Sequence, residues 1–141
     1  MIYYLDTSLL IAVYAAEHGH ERLAEWMYVR ATRQMAASGW TRTEFASALS
    51  LKLRTKQIDT ASRDKAGYSF ESAMAETFVV FPILAADFDT AARWCERQET
   101  GLRAGDALHL AIASRNNATL CTLDRTLHEA GQFLLVQTLL V

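Results

Sequence analysis

The chain has 141 residues, 16 acids against 14 Lys plus Arg for a net charge of −2, and a hydrophobic fraction of 51%. That length can bury a core without disulfides or a structural metal, and the isolated Cys95 and Cys121 form no CxxC pair that would imply either. A near-neutral balance argues neither for nor against a nucleic-acid partner, because net charge misses local patches. The N-terminus lacks a basic region and Asp6 interrupts the first apolar stretch, so no signal peptide is expected. No apolar run approaches the roughly eighteen residues of a membrane span. The expectation is one soluble, cytoplasmic domain over residues 1–141, with no membrane partner.

In chain order, the continuous apolar run at 2–6 reads as a strand covered on both faces. Residues 8–16 read as a short helix and 20–36 as a second, with Leu23, Trp26 and Met27 at helical spacing. A short strand is expected from Ala36 to Trp40. A helix then begins at Thr41, whose Thr-x-x-Glu pattern resembles a capping box, with Phe45, Leu49 and Leu53 as its apolar stripe. Residues 60–77 are helical, 78–83 a β-branched and aromatic strand, and Phe88, Ala91, Ala92 and Cys95 mark another helix. "TGLRAGD" reads as a loop and "ALHLAIASR" as a helix. A strand follows at 118–123, a short helix from Asp124 to Glu129 with Gly131 as its C-cap, and a last strand at 133–136. Strands alternating with helices predict an α/β fold, a parallel sheet with helices on both faces.

Ligands in such sheets bind outside the carboxyl ends of the strands. Asp6 and Asp124 end predicted strands, while Glu44 and Asp106 stand near the starts of helices that should begin at the same rim. Each has a plain local reading: Asp6, Asp106 and Asp124 as helix N-caps, and Glu44 as the return half of the Thr41 box. Together they would put four carboxylates in one cleft, where like charges raise one another's pKa unless a cation intervenes. Oxygen ligands without Cys suit hard Mg²⁺, or Mn²⁺ in its place, better than zinc. Ser8 and Thr122 add hydroxyls that either orient carboxylates and metal waters or make local caps, and Thr7 is read as a local turn bond. His109, three residues after Asp106, either meets substrate or a carboxylate, or is simply packed. Arg42, Arg103 and Arg125 flank the acids and are read as phosphate contacts or as ordinary surface arginines. Asp87 and Asp89 are read as caps or first-turn charges.

"YYLDTSLL", Glu44 within "TEFASAL", "GDALHLAIA" and "TLCTLDRTL" together resemble the PIN-domain nucleases, especially the VapC-type toxins of bacterial toxin–antitoxin pairs. The resemblance runs along essentially the whole chain, and its strength lies in the ordered set of four motifs. It implies a three-layer sandwich with a parallel five-stranded sheet. It also implies Asp6, Glu44, Asp106 and Asp124 around one or two Mg²⁺ or Mn²⁺ ions, with Thr122 at the family's hydroxyl position. Endoribonuclease activity on an RNA substrate, a homodimer and inhibition by a small antitoxin are further implications. Two rivals remain at this stage. A phosphoacceptor receiver domain needs an acidic pair after the first strand and a late lysine, but Thr7 follows Asp6 and the last lysine is Lys65. The other rival is a binding module that keeps the fold without catalysis.

Overall fold

The computed structural model describes residues 1–31 and 34–141. Strands β1 (Ile2–Leu5), β2 (Gln34–Ser38), β3 (Val79–Phe81), β4 (Thr119–Thr122) and β5 (Thr138–Leu140) form one sheet in the order β3-β2-β1-β4-β5. Every pairing is parallel. Helices α1 (Thr7–Tyr14), α2 (His20–Val29), α3 (Gly39–Arg54), α4 (Thr60–Glu76), α5 (Ala85–Cys95), α6 (Ala104–Arg115) and α7 (Arg125–Phe133) flank it. In receiver-type sheets β1 lies between β2 and β3; here its neighbours are β2 and β4, which removes that rival.

Side-chain alternation along the strands divides the core between two faces. Leu5, Ala37 and Cys121 point to one side, where Leu9 and Leu10 of α1, Leu23 of α2, Phe45 and Leu49 of α3, and Phe70 and Met74 of α4 cover them. Tyr4, Ala36 and Leu120 point to the other, against Ala91 of α5, Leu110 and Ile112 of α6, and Leu127 of α7. The phenyl rings of Phe45 and Phe70 stack 3.9 Å apart, locking α3 to α4. A helix–sheet–helix sandwich of three layers results.

Several boundaries differ from the sequence reading. The helix expected over 20–36 ends at Val29, and Gln34 already belongs to β2; residues 32–33 of that expectation lie outside the described residues. The strand expected at 36–40 is shifted toward the N-terminus, because Ser38 caps α3: its hydroxyl accepts from the Thr41 amide at 3.4 Å while Thr41 Oγ1 accepts from the Ser38 amide at 3.2 Å. The box is therefore Ser38 with Thr41, and Glu44 is left for other partners. At the C-terminus, α7 runs through Gly131 to Phe133, and "FLLV" is not a strand. Leu135 adopts φ 59°, its amide bonds Gln132 O at 3.1 Å, and the Val136 amide bonds Gly131 O at 2.8 Å. That is a Schellman closure made with leucine. The last strand starts only at Thr138.

Gly131 is in fact a close-approach glycine: a Cβ there would stand 2.2 Å from Thr138 Cγ2 on β5. Gly131→Ala should cost about 1–3 kcal/mol of unfolding free energy, the usual scale of overpacking. Thr138→Ser removes that methyl and keeps the hydroxyl that meets His128 Nδ1 at 2.9 Å, so it should restore most of the loss in a double-mutant denaturation series. Additive losses would contradict the packing assignment.

Candidate active site

The sheet order reverses between β1 and β4, and a crevice opens beyond their carboxyl ends. Asp6 follows β1 directly and, with an extended backbone, caps α1. Its Oδ2 accepts from the Ser8 amide at 3.4 Å, the Ser8 hydroxyl at 2.5 Å and the Thr122 hydroxyl at 2.8 Å. The residue is 5% exposed. Both hydroxyl protons are spent on Asp6, so Ser8 Oγ accepts from the Leu123 amide at 3.1 Å and Thr122 Oγ1 from the Asp124 amide at 2.9 Å. Thr122 thus ties the first acid to the last. Asp124 in turn caps α7, its Oδ1 accepting from the Leu127 amide at 3.2 Å. Asp106 stands in the first turn of α6 rather than at its cap, and its Oδ2 reaches back to the Arg103 amide at 3.4 Å.

Glu44 projects from α3 across the rim. Its Oε2 accepts from the Thr7 hydroxyl at 2.8 Å and lies 2.5 Å from His109 Nε2. The Thr7 hydroxyl therefore serves the cleft and not a local turn. Oε1 lies over Gly105, where a Cβ would come within 2.6 Å of it; only glycine permits this carboxylate position. The buried indole N–H of Trp40 sits beside the same group without a full hydrogen bond.

His109 is fully buried. Asp6 Oδ1 stands 3.6 Å from its Nε2. Asp6, Glu44 and His109 each present an atom within 4.8 Å of the others. Burial alone would lower the imidazole pKa, but the Tyr4 oxygen, Glu44 and Asp6 outweigh it and raise the value to about 10. The raised value means that the stabilisation from this group is complete below its ordinary pKa of 6.5 and is lost as pH rises through about 10. Burial would likewise raise Glu44, yet the His109 hydrogen bond and charge hold its carboxyl below the usual range. Asp106 goes the other way: burial, then the charges of Asp6 and Asp124, push its carboxyl up against the opposing Arg103 amide.

All four acids line one open cleft of about 520 Å³, with Thr7, Ser8, Ser47, Ala48, Leu51 and Arg103. Ser47, Ala48 and Leu51 were not singled out from sequence; they follow Glu44 at helical spacing along α3, which is the signal that would have found them. Arg42 instead pairs with Glu71 at 3.0 Å, and neither it nor the exposed Arg125 lines the cleft. Asp87 is buried against Arg115 at 2.7 Å, in a structural ion pair away from the site.

The arrangement has a chemical signature. In Asp6, Asp106 and Asp124 one carboxylate oxygen holds the fold through hydrogen bonds, and the other accepts none among the described residues. Unspent oxygens around a shared, charge-crowded cleft match the donor set of a hard divalent cation. His109 does not offer a comparable lone pair. Its Nε2 faces Glu44 Oε2, Asp6 Oδ1 and the Thr7 oxygen, and the Thr7 proton already goes to Glu44. The nitrogen must therefore be a donor.

A PIN domain family model matches residues 3–132, and the chain belongs to that family. Among solved structures it is similar to a chain of VapBC2 from Rickettsia felis, crystallised with a DNA fragment from its promoter. That match covers 99% of this chain and 98% of the other, with TM-score 0.70 and 17% identity. It is also similar to VapC20 of Mycobacterium tuberculosis, a sarcin-ricin-loop-cleaving toxin, over 92% and 95% of the two chains with TM-score 0.72 and 18% identity. A chain of VapBC-1 from nontypeable Haemophilus influenzae matches over 99% and 97%, with TM-score 0.68 and 18% identity. At these identities the shared property is the fold. No curated protein sequence matches significantly. No helix among the described residues is long and apolar enough to cross a membrane.

The Asp106 shift has a testable sign. Its pKa is raised in the fold above 3.8, so its ionised form costs stability as pH rises through the raised value. In metal-free protein, Asp106→Asn should melt above the wild type at neutral pH, and the difference should shrink as the pH falls through the raised value and be gone below about 4. A variant that melts lower at neutral pH, or a gap that widens in acid, would contradict the crowded-cleft electrostatics.

Proposed function

We propose that this chain is a Mg²⁺-dependent endoribonuclease, with Mn²⁺ able to substitute, acting as the toxin of a type II toxin–antitoxin pair. The observation that carries the reading is the set of four acids, Asp6, Glu44, Asp106 and Asp124, lining one cleft at the sheet's switch point. Membership of the PIN family and similarity to chains from VapBC complexes and to a VapC toxin support it. Residues 1–141 are taken as one nuclease domain that works in the cytoplasm.

Asp6, Asp106, Asp124 and Glu44 would hold the cation, and when bound it supplies charge that acidifies a water and stabilises phosphoryl oxygens. The protein's own part is positioning. Ser8 and Thr122 fix one oxygen of Asp6 and leave the other without a hydrogen bond among the described residues, 3.6 Å from His109 Nε2. Thr7 and His109 bind Oε2 of Glu44, whose Oε1 lies over Gly105. Arg103, exposed on the cleft wall, is a cation available to an RNA phosphate. The reaction is hydrolysis of an RNA phosphodiester: water adds to phosphorus and the bond to the 3′ oxygen breaks, leaving a 5′-phosphate and a 3′-hydroxyl. A small cognate antitoxin and a second copy of the chain are the proposed protein partners. Tyr28, 82% exposed on α2, is a surface of the sort such partners cover.

Purified protein should cleave RNA in Mg²⁺ or Mn²⁺ and lose that activity in EDTA. Asp6→Asn should lower the rate by about a hundredfold or more, the scale of losing one charge-stabilising group. Asn caps helices about as well as Asp, so the folded state should persist. In bacteria, expression of the wild type alone should arrest growth and that of Asp6→Asn should not. EDTA-resistant cleavage, or an Asp6→Asn variant with wild-type rate, would overturn the assignment.

A further inference from the structure

We infer that Tyr4 and His109 are positioning residues: a buried hydrogen-bonded chain from the sheet interior to the cleft that fixes which oxygen of Glu44 is presented to the reaction. The inference rests on the nuclease reading for its kinetic consequence, but the chain itself is geometric. Tyr4 OH lies 2.9 Å from His109 Nδ1, 2.7 Å from Ser38 Oγ and 3.3 Å from Thr41 Oγ1. His109 Nε2 then meets Glu44 Oε2 at 2.5 Å. The link thus runs from the capping pair of α3, through β1 and α6, back to a carboxylate on α3.

Every polar atom along it is 0% exposed until Glu44 is reached: Tyr4, Ser38, Thr41 and His109 are all fully buried. A buried hydroxyl or imidazole without partners is costly, so the chain is held as a unit. It works with either state of Nδ1, because the Tyr4 hydroxyl can accept or donate and still be satisfied by Ser38. With no exposure, His109 cannot touch substrate, and with Nε2 donating it is no metal ligand. What it can do is decide the rotation of Glu44. Its other oxygen, Oε1, lies against Gly105, where a Cβ would come within 2.6 Å of it. Held between the two, Glu44 is kept near Asp6 despite their like charge.

Tyr4→Phe deletes one hydroxyl, His109→Leu deletes the link, and His109→Gln keeps an N–H donor near the place of Nε2. Partners of this sort change metal affinity or activity by about ten- to a hundredfold when lost. His109→Leu should therefore weaken calorimetric Mn²⁺ binding and lower kcat within that range, with KM for RNA nearly unchanged. Tyr4→Phe should show a smaller loss of the same kind, and His109→Gln should recover most of the activity. In the Glu44→Ala background, His109→Leu should add almost nothing, because both act through one carboxylate. Independently of activity, the imidazole Nε2–H resonance of folded wild type should lie far downfield by NMR and move in Glu44→Gln and Tyr4→Phe. Losses that add across the Glu44→Ala cycle, or a resonance indifferent to Glu44→Gln, would overturn the relay. A wild type that neither binds Mn²⁺ nor cleaves RNA would overturn the nuclease reading, and the resonance would still decide the relay.

Discussion

Four carboxylates cannot stand together at one end of a sheet unless each is held from behind, and the organisation of this fold follows from how that holding is done. The sheet supplies the place, because reversal of strand order between β1 and β4 leaves a crevice that no crossover fills. The helix starts and the end of β4 supply the donors. Ser8 and Leu127 amides, the Arg103 amide, and the hydroxyls of Thr7, Ser8 and Thr122 each bind one oxygen of an acid. Repulsion is moderated from within by an imidazole whose pKa the Tyr4 oxygen, Glu44 and Asp6 raise to about 10, while burial, and then the charges of Asp6 and Asp124, shift Asp106 upward.

Capping and site-building turn out to be the same act. Asp6 and Asp124 were ambiguous in sequence because each stood where a helix should begin, and each does cap one. A carboxylate has two oxygens, and a cap needs only one. The N-terminal turns also favour negative charge through the helix dipole, so the position that best tolerates an unpaired acid is the one that faces the crevice.

Much of this was legible because the acids fall at period breaks. Apolar runs that stop at Asp6 and Asp124 fix both strand ends, and the alternation of strands and helices gives the layered fold. What could not be read had signals identical to something else. Tyr4 sits in an apolar strand and reads as core, which its ring is, stacked on Phe81 at 6.1 Å; nothing local reveals that its hydroxyl meets His109 from the other side of the chain. Ser38 caps α3 from inside a segment that also looks extended. "FLLV" and "TLLV" are equally good strand sequences, and the choice falls to the second because Leu135 turns left-handed to close α7. The close approaches at Gly105 and Gly131 carry no sequence mark, and Gly131 reads instead as a C-cap, since the atoms they must avoid, Glu44 Oε1 and Thr138 Cγ2, come from other elements.

Two kinds of constraint act on this chain, and they differ in how many sequences satisfy them. The three-layer body asks only for apolar side chains of suitable volume on alternating faces, which many sequences meet, and chains at 17–18% identity duly share it with TM-scores near 0.7. The rim asks for particular atoms. Glu44 must lie within reach of Thr7 and His109 and over a residue with no Cβ, three conditions set by α1, α3 and α6 at once. Tyr4 joins the two kinds: its ring fills the core behind the sheet while its hydroxyl completes the link to the rim. A change that leaves the ring in place would keep the body and loosen only the carboxylate, so packing and positioning are separable in this residue even though one side chain performs both.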